Sequence, residues 1–407
     1  MLDLKPFRAL TFDPAGDWSK HLAPHIEHLA DTSSDELRSK SEHNMAWLTD
    51  PERDRSDRSK FVRFARSSSR LMEWMNSGVL SKAPENTYYK LTAESNGESV
   101  SWLIGLLNLR SEPKVSVPFR IPPVFSEERA RLLEAAYAYT DLVELVGRSE
   151  PSVVIQSSEL LGKGERDSVQ WTLEAVSGDF SELQTDNDWS VATGASTWIA
   201  AQGFSERNGS KRRVVAADHV PVAIRLSSAK GTKTNPQHTI CTRLTWDPDQ
   251  IKSRLAEHFS LVSTPTAQIM SEMQSKLQAR EKRAFGVAVS GGIGFVAEVN
   301  DLDALLEQLS NWSSPATPSE THLLHEYVFA KLLGLTGSDY YTFAREADQA
   351  IAAVEEAKAA AFILPEMNWE NMIDADSTGV KLPYNAVRTN LAPVSGMMLW
   401  SLRDFEA

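Results

Sequence analysis

The 407-residue sequence predicts a mixed α/β protein, with a central mixed sheet, helices packed on it and a helical C-terminal portion. Two observations carry this. Short apolar runs with period-two alternation recur along the chain, with helical periodicities standing between them. Apolar residues make up 42% of the chain against 24% charged, enough for a sizeable core. The length admits one large or two fused domains. No internal repeat or long low-complexity tract divides it, so the chain reads as a single unit over 1–407. A subdivision falls at 1–150, 151–312 and 313–407.

In order, Leu4 to Phe12 reads as a first strand. A helix follows in which Phe61, Phe64, Ala65, Ser68, Met72 and Met75 form the core stripe. Arg63, Arg66 and Arg70 lie outside it on a solvated face, and Gly78 is its stop. Thr87–Ala93 and Ser99–Leu109 pair as a hairpin across Ser95-Asn96-Gly97. Ser126 is the expected N-cap of a second helix running to Gly147. The segments 152–156, 169–175, 196–201 and 213–217 then read as strands. A polar loop over 227–238 leads to the strand 239–246, and Asp247-Pro248 opens a helix toward His258. Residues 264–283 are read as helix, and 284–290 with 293–299 as a hairpin about Gly291-Gly292. A linker-like loop at 310–319, helices at 320–333 and 343–359, and strands at 361–364 and 397–402 complete the order.

With 42 Lys and Arg against 55 Asp and Glu, the formal net charge is −13. That charge opposes general binding to nucleic acid or an anionic membrane. No apolar stretch is long enough to span a bilayer, and no signal-like segment opens the chain, so the expected compartment is the cytoplasm. The single cysteine, Cys241, precludes an internal disulfide and a cysteine-built zinc site. Its alternating surroundings read as core packing.

Four motifs invite chemistry. Ser290-Gly291-Gly292-Ile293-Gly294 lacks the Walker lysine and the dinucleotide spacing, and reads as a hairpin turn. His21, His25 and His28, with Glu27, could line a helix face, but Pro24 interrupts it. His322 and His325 share a helical face beside Glu326, without the zinc-helix order or an evident third ligand, so packing accounts for them. Asp218-His219 follows the strand expected at 213–217, a common place for site residues, and Pro221 would suit the first turn of a short helix.

Several of these pieces fall in an order that resembles the bacterial and archaeal family known as domain of unknown function 1015. Leu4-Lys5-Pro6-Phe7-Arg8-Ala9-Leu10 is similar to its opening IKPFRGL. Ala23-Pro24-His25-Ile26-Glu27-His28-Leu29 stands at its APPYDVI, and Asn44 at its following asparagine segment. Residues 214–226, VVAADHVPVAIRL, are set against a strand running into DGHHRYAAAL. Ala361 to Pro365, Leu382-Pro383 and Ser395-Gly396-Met397 resemble the family's tail.

The resemblance implies a ParB/sulfiredoxin-like core, whose relatives include free-serine kinases, and ATP or ADP with Mg as cofactors. It would make His219, Asp218 and Glu27 the catalytic groups, and Arg388, Asn385 and Asn44 ligand-binding groups; no metal ligand is assigned. The chain departs from the pattern, however. Asp218 replaces the glycine, Val220 the second histidine and Pro221 the arginine. The function so implied is that of a divergent phosphoryl-transfer-like protein with its ancestral activity weakened or repurposed. The alternative is a non-catalytic member that binds a small molecule or a protein in the old cleft.

Overall fold

A computed structural model describes residues 2–31, 33–59, 61–180, 183, 187–209, 215–242, 247–279, 283–309, 319–335, 340–357, 359–377 and 379–404. The chain is mixed α/β, as expected. It divides into two compact units. Unit 1 comprises 1–117, 121–231 and 391–407; unit 2 comprises 118–120 and 232–390.

Unit 1 is built on a nine-stranded mixed sheet. Its strands are β1 (Leu4–Lys5), β2 (Tyr88–Ser95), β3 (Glu98–Asn108), β4 (Val115–Ser116), β5 (Val143–Gly147), β6 (Val154–Arg166), β7 (Val169–Asp179), β8 (Trp189–Thr193) and β9 (His219–Arg225). The spatial order is β6-β7-β2-β3-β9-β5-β8-β4, with β1 pairing β3. The β2–β3 hairpin turns at Asn96 and Gly97, both at positive φ, which is the chemistry an Asn-Gly pair supplies. Its longest helices are α1 (Arg63–Asn76), α2 (Pro123–Ala136) and α3 (Ala195–Gly209).

Four central strands are tied by one buried polar network. The Glu144 carboxylate in β5 accepts from Arg225 Nε of β9 at 2.8 Å and from Trp102 Nε1 of β3 at 2.9 Å. It also accepts from the Thr193 hydroxyl of β8 at 2.9 Å. Glu144 and Arg225 are 0% and 2% exposed, so this pair is compensated by geometry and not by water.

Unit 2 carries a six-stranded antiparallel sheet. Its strands are β10 (His238–Cys241), β11 (Phe259–Pro265), β12 (Ala284–Val289), β13 (Ile293–Val299), β14 (Tyr341–Ala344) and β15 (Ala360–Ile363), in the order β11-β13-β12-β15-β10-β14. Period-two alternation divides its core. Phe285, Val287 and Val289 of β12 join Phe259, Tyr327, Phe329 and Phe362 in one cluster. Ala284 and Ala288 join Ile269, Met273, Val354 and Ile363 in the other. This second cluster includes α4 (Ile269–Ala279) and α5 (Ala347–Ala357). A Cβ on Gly286 would lie 2.2 Å from Ile269, so the small residues of β12 let α4 approach closely.

Several local expectations need correction. Arg63 is 1% exposed, bound to Asp50 and Glu128 at 2.7 and 3.0 Å; the buried face of α1 is Arg63, Phe64, Ser67, Leu71 and Trp74. Pro122, not Ser126, stands at the N-cap of α2, and the helix stops at Tyr137 (φ 54°), leaving 143–147 as a strand. Residues 196–201 are helix, because Gly194 ends β8 and opens α3. Val215–Asp218 is a 3-10 turn, and Pro221 lies inside β9. Residues 259–265 and 341–344 are strands preceding α4 and α5. Residues 213–214, 243–246 and 310–318 of the expected strands and linker lie outside the described residues.

Candidate functional site

The most organised polar site among the described residues stands where β8 runs into α3. Gly194 adopts φ 85°, and a Cβ there would come 2.9 Å from the Leu142 carbonyl. A side chain is therefore excluded by both conformation and space. The first backbone N–H groups of α3 point at an acceptor, as helix N-termini do. That acceptor is Glu27. One carboxylate oxygen takes the Gly194 N–H at 2.7 Å; the other takes the Ser196 N–H at 2.8 Å and the Ser196 hydroxyl at 2.7 Å. Glu27 is 7% exposed.

Glu27 is held in turn. It lies on the 3-10 turn Ile26–Asp31, and its N–H donates to His25 Nδ1 at 3.2 Å. With Nδ1 accepting, His25 Nε2 carries the proton and donates to the Leu142 carbonyl at 3.1 Å. Asp141 accepts from the Thr140 hydroxyl at 3.0 Å, from the Ile26 N–H at 3.4 Å and from the Ser395 hydroxyl. Beside this set, Arg129, Thr140, Asp141 and Thr197 help line a cavity of only about 20 Å³. Arg129 donates to the Thr49 carbonyl at 3.1 Å.

Residues 4–115 match the model of a family described as a protein of unknown function, DUF1015. This stretch holds the N-terminal motifs, Glu27 and Asn44 of the DUF1015 resemblance. Two structures of a free serine kinase resemble parts of the chain. A variant in complex with ADP covers 72% of this chain and 92% of its own, at 10% identity and a TM-score of 0.39. The kinase in complex with AMP has the same coverage and identity, at 0.38. A conserved hypothetical protein from Pyrococcus furiosus covers 74% of this chain and 96% of its own, at 13% identity and 0.38. No curated protein matches the chain. Scores this low carry no argument about chemistry.

The DUF1015 resemblance sets a strand running into DGHHRY against residues 214–226, but there a turn runs into a strand. A strand that runs through a glycine into a helix is found at 189–209. There the chain reads Thr193-Gly194-Ala195-Ser196-Thr197-Trp198. Gly194, Ser196, Asp141, Ser395 and Arg129 were all missed from sequence. The available signal was an apolar strand ending in glycine ahead of small hydroxyl residues.

Asp218 ends the 3-10 turn, paired with Arg110 at 2.8 Å and accepting from the Ser205 hydroxyl at 2.7 Å. His219 is buried and opens β9 opposite Asn108. Ser196 and Ser205 are nine residues apart on α3, or about 13 Å along the axis. Glu27 and Asp218 are therefore bound near opposite ends of one helix and are not brought together. Asn44 is a buried clasp, donating to the Lys20 and Leu22 carbonyls and accepting the Ala46 N–H. Asn385 and Arg388 belong to unit 2. There Asn385 has φ 64°, and Arg388 sits in the strand Val387–Thr389 paired with Thr234–Pro236.

The three N-terminal histidines do not converge. His25 and His28 lie side by side, with ring centroids 5.8 Å apart, but His21 stacks on Phe12 at 4.4 Å instead. Among the described residues no group of three His, Cys, Asp or Glu is placed to hold a metal ion. No described helix is long and apolar enough to cross a membrane.

Proposed function

We propose that the chain is a binding protein on a phosphoryl-transfer-like α/β scaffold, with its ancestral kinase-like step closed, and that it takes a small-molecule ligand. The observation that carries this reading is the Glu27 carboxylate at the N-terminus of α3. A phosphate bound there needs the N–H groups of Gly194 and Ser196, and Glu27 already uses both. Its negative charge would also repel a second anion at contact distance. The residues beside these donors, Ala195, Ser196 and Thr197, supply no positive charge. The catalytic alternative, with His219, Asp218 and Glu27 as acid/base groups and ATP or ADP with Mg as cofactors, requires Glu27 to leave these donors.

Thermal unfolding with ATP, ADP, AMP, serine and phosphoserine, each with and without Mg²⁺, separates the two readings. A ligand at 100 times its Kd stabilises by about 2.7 kcal/mol. We expect no nucleotide-dependent rise in Tm and no serine-dependent consumption of ATP. Serine phosphorylation at an ordinary enzymic rate, roughly 1 per second or faster, overturns the proposal.

A further inference from the structure

Unit 2 contains a cavity of about 620 Å³, within the roughly 300–1,000 Å³ usual for small-molecule sites. Its polar anchor is His238, 3% exposed at the start of β10. The Leu364 N–H donates to His238 Nδ1 at 3.1 Å, so the ring proton resides on Nε2. No described residue accepts from Nε2, and His238 is part of the cavity lining. Burial pushes its pKa down to about 4, so near neutral pH this group is an uncharged donor. An occupant of the cavity that bears an oxygen can accept this proton.

The remaining lining has two characters. Met270, Met273 and Leu277 of α4 offer an apolar, adaptable wall, and Met270 is 44% exposed. The lining also includes the exposed Glu346, Asp348 and Glu366 and one guanidinium, that of the exposed Arg345. Arg345 itself lies 3.7 Å from Glu346. Three carboxylates against one cation disfavour nucleotides and other polyanions, and favour an ammonium.

We propose that this cavity binds a small organic amine. Its apolar body lies against Met270, Met273 and Leu277, its ammonium group among Glu346, Asp348 and Glu366, and an oxygen accepts from His238 Nε2. This rests on the binding reading above and names its ligand class.

The probes are tyramine and 4-hydroxyphenylacetate, which share a phenol ring but carry opposite charges, titrated calorimetrically into the full chain near neutral pH. Tyramine is expected to bind at least tenfold more tightly than the acid. His238→Asn keeps an acceptor for the Leu364 N–H but loses the Nε2 donor, and should weaken tyramine about tenfold. Met270→Trp, at an exposed position, should fill the cavity and abolish binding with Tm unchanged. No tyramine binding at millimolar concentration, equal binding of the acid, or wild-type affinity in Met270→Trp overturns the site. Serine phosphorylation by the same sample overturns the non-kinase reading whatever tyramine does, so the two failures are distinguishable.

Discussion

The two units bury their polar groups in different ways. Unit 1 matches several of its buried charges: Glu144 with Arg225, Arg63 with Asp50 and Glu128, and Glu27 with the N-terminus of α3. Unit 2 buries the Glu320 carboxylate beside Arg283 but also three histidines that burial keeps neutral. His238, His322 and His325 are all nearly inaccessible, and burial lowers their pKa values to about 4, 3 and 3. His325 is enclosed by Phe329, Tyr341 and Phe343, and its Nε2 is buried without a partner. A matched charge fixes strands and fills the space a ligand would need. A neutral ring leaves a donor that a ligand can use.

The largest expected effect follows from this contrast. Each histidine is neutral in the fold, but the unfolded chain takes up its proton near the ordinary value of 6.5. Unfolding then binds protons, so stability is full above that value and declines as pH falls toward the folded values. By about pH 5 each histidine should cost about 2 kcal/mol, or roughly 6 kcal/mol together. Chemical denaturation at neutral pH and at pH 5 measures it. Flat stability across that window would break the comparison.

Next comes the matched pair itself. Glu144→Ala leaves the Arg225 guanidinium buried without its carboxylate, and strands Trp102 Nε1 and the Thr193 hydroxyl. A loss of about 3–5 kcal/mol is expected in denaturant midpoint measurements. Glu27→Gln should be milder. It keeps one oxygen for α3 but turns an NH₂ group toward N–H donors, at a cost of about 2 kcal/mol. The same variant sharpens the functional reading, because removing the carboxylate's charge should allow inorganic phosphate to raise Tm where it has no effect on the wild type.

The fold was legible wherever local chemistry and alternation agreed. Asn96-Gly97 and Gly291-Gly292 set their hairpins, and Asp247 with Gln250 forms the capping box that opens the helix at Pro248. It was illegible where no polar face turns outward. Residues 143–147 are buried throughout, and the exposed position of 196–201 is the apolar Ile199, so strand and helix exchange in the reading. Arg63 misled because its two carboxylates come from outside α1. At the site, Glu27 stood out as an acid in a motif. Its partners lie 167 and 169 residues away, and Asp141 meets Ser395 across 254 residues, which no local pattern encodes.

The smallest expected effect concerns Asp218, one of the residues that the sequence singled out. Arg110 and Asp218 form an ion pair at 2.8 Å, but their side chains are 52% and 18% exposed, so water screens the attraction. Asp218 also retains the Ser205 hydroxyl when Arg110 is removed. Arg110→Ala should therefore change stability by no more than about 1 kcal/mol. Denaturant unfolding of this variant beside Glu144→Ala tests whether burial, and not charge alone, sets the energetics of unit 1. If Arg110→Ala costs as much as Glu144→Ala, Asp218 is held by more than a screened surface pair, and the distinction between the interior and the rim of unit 1 fails.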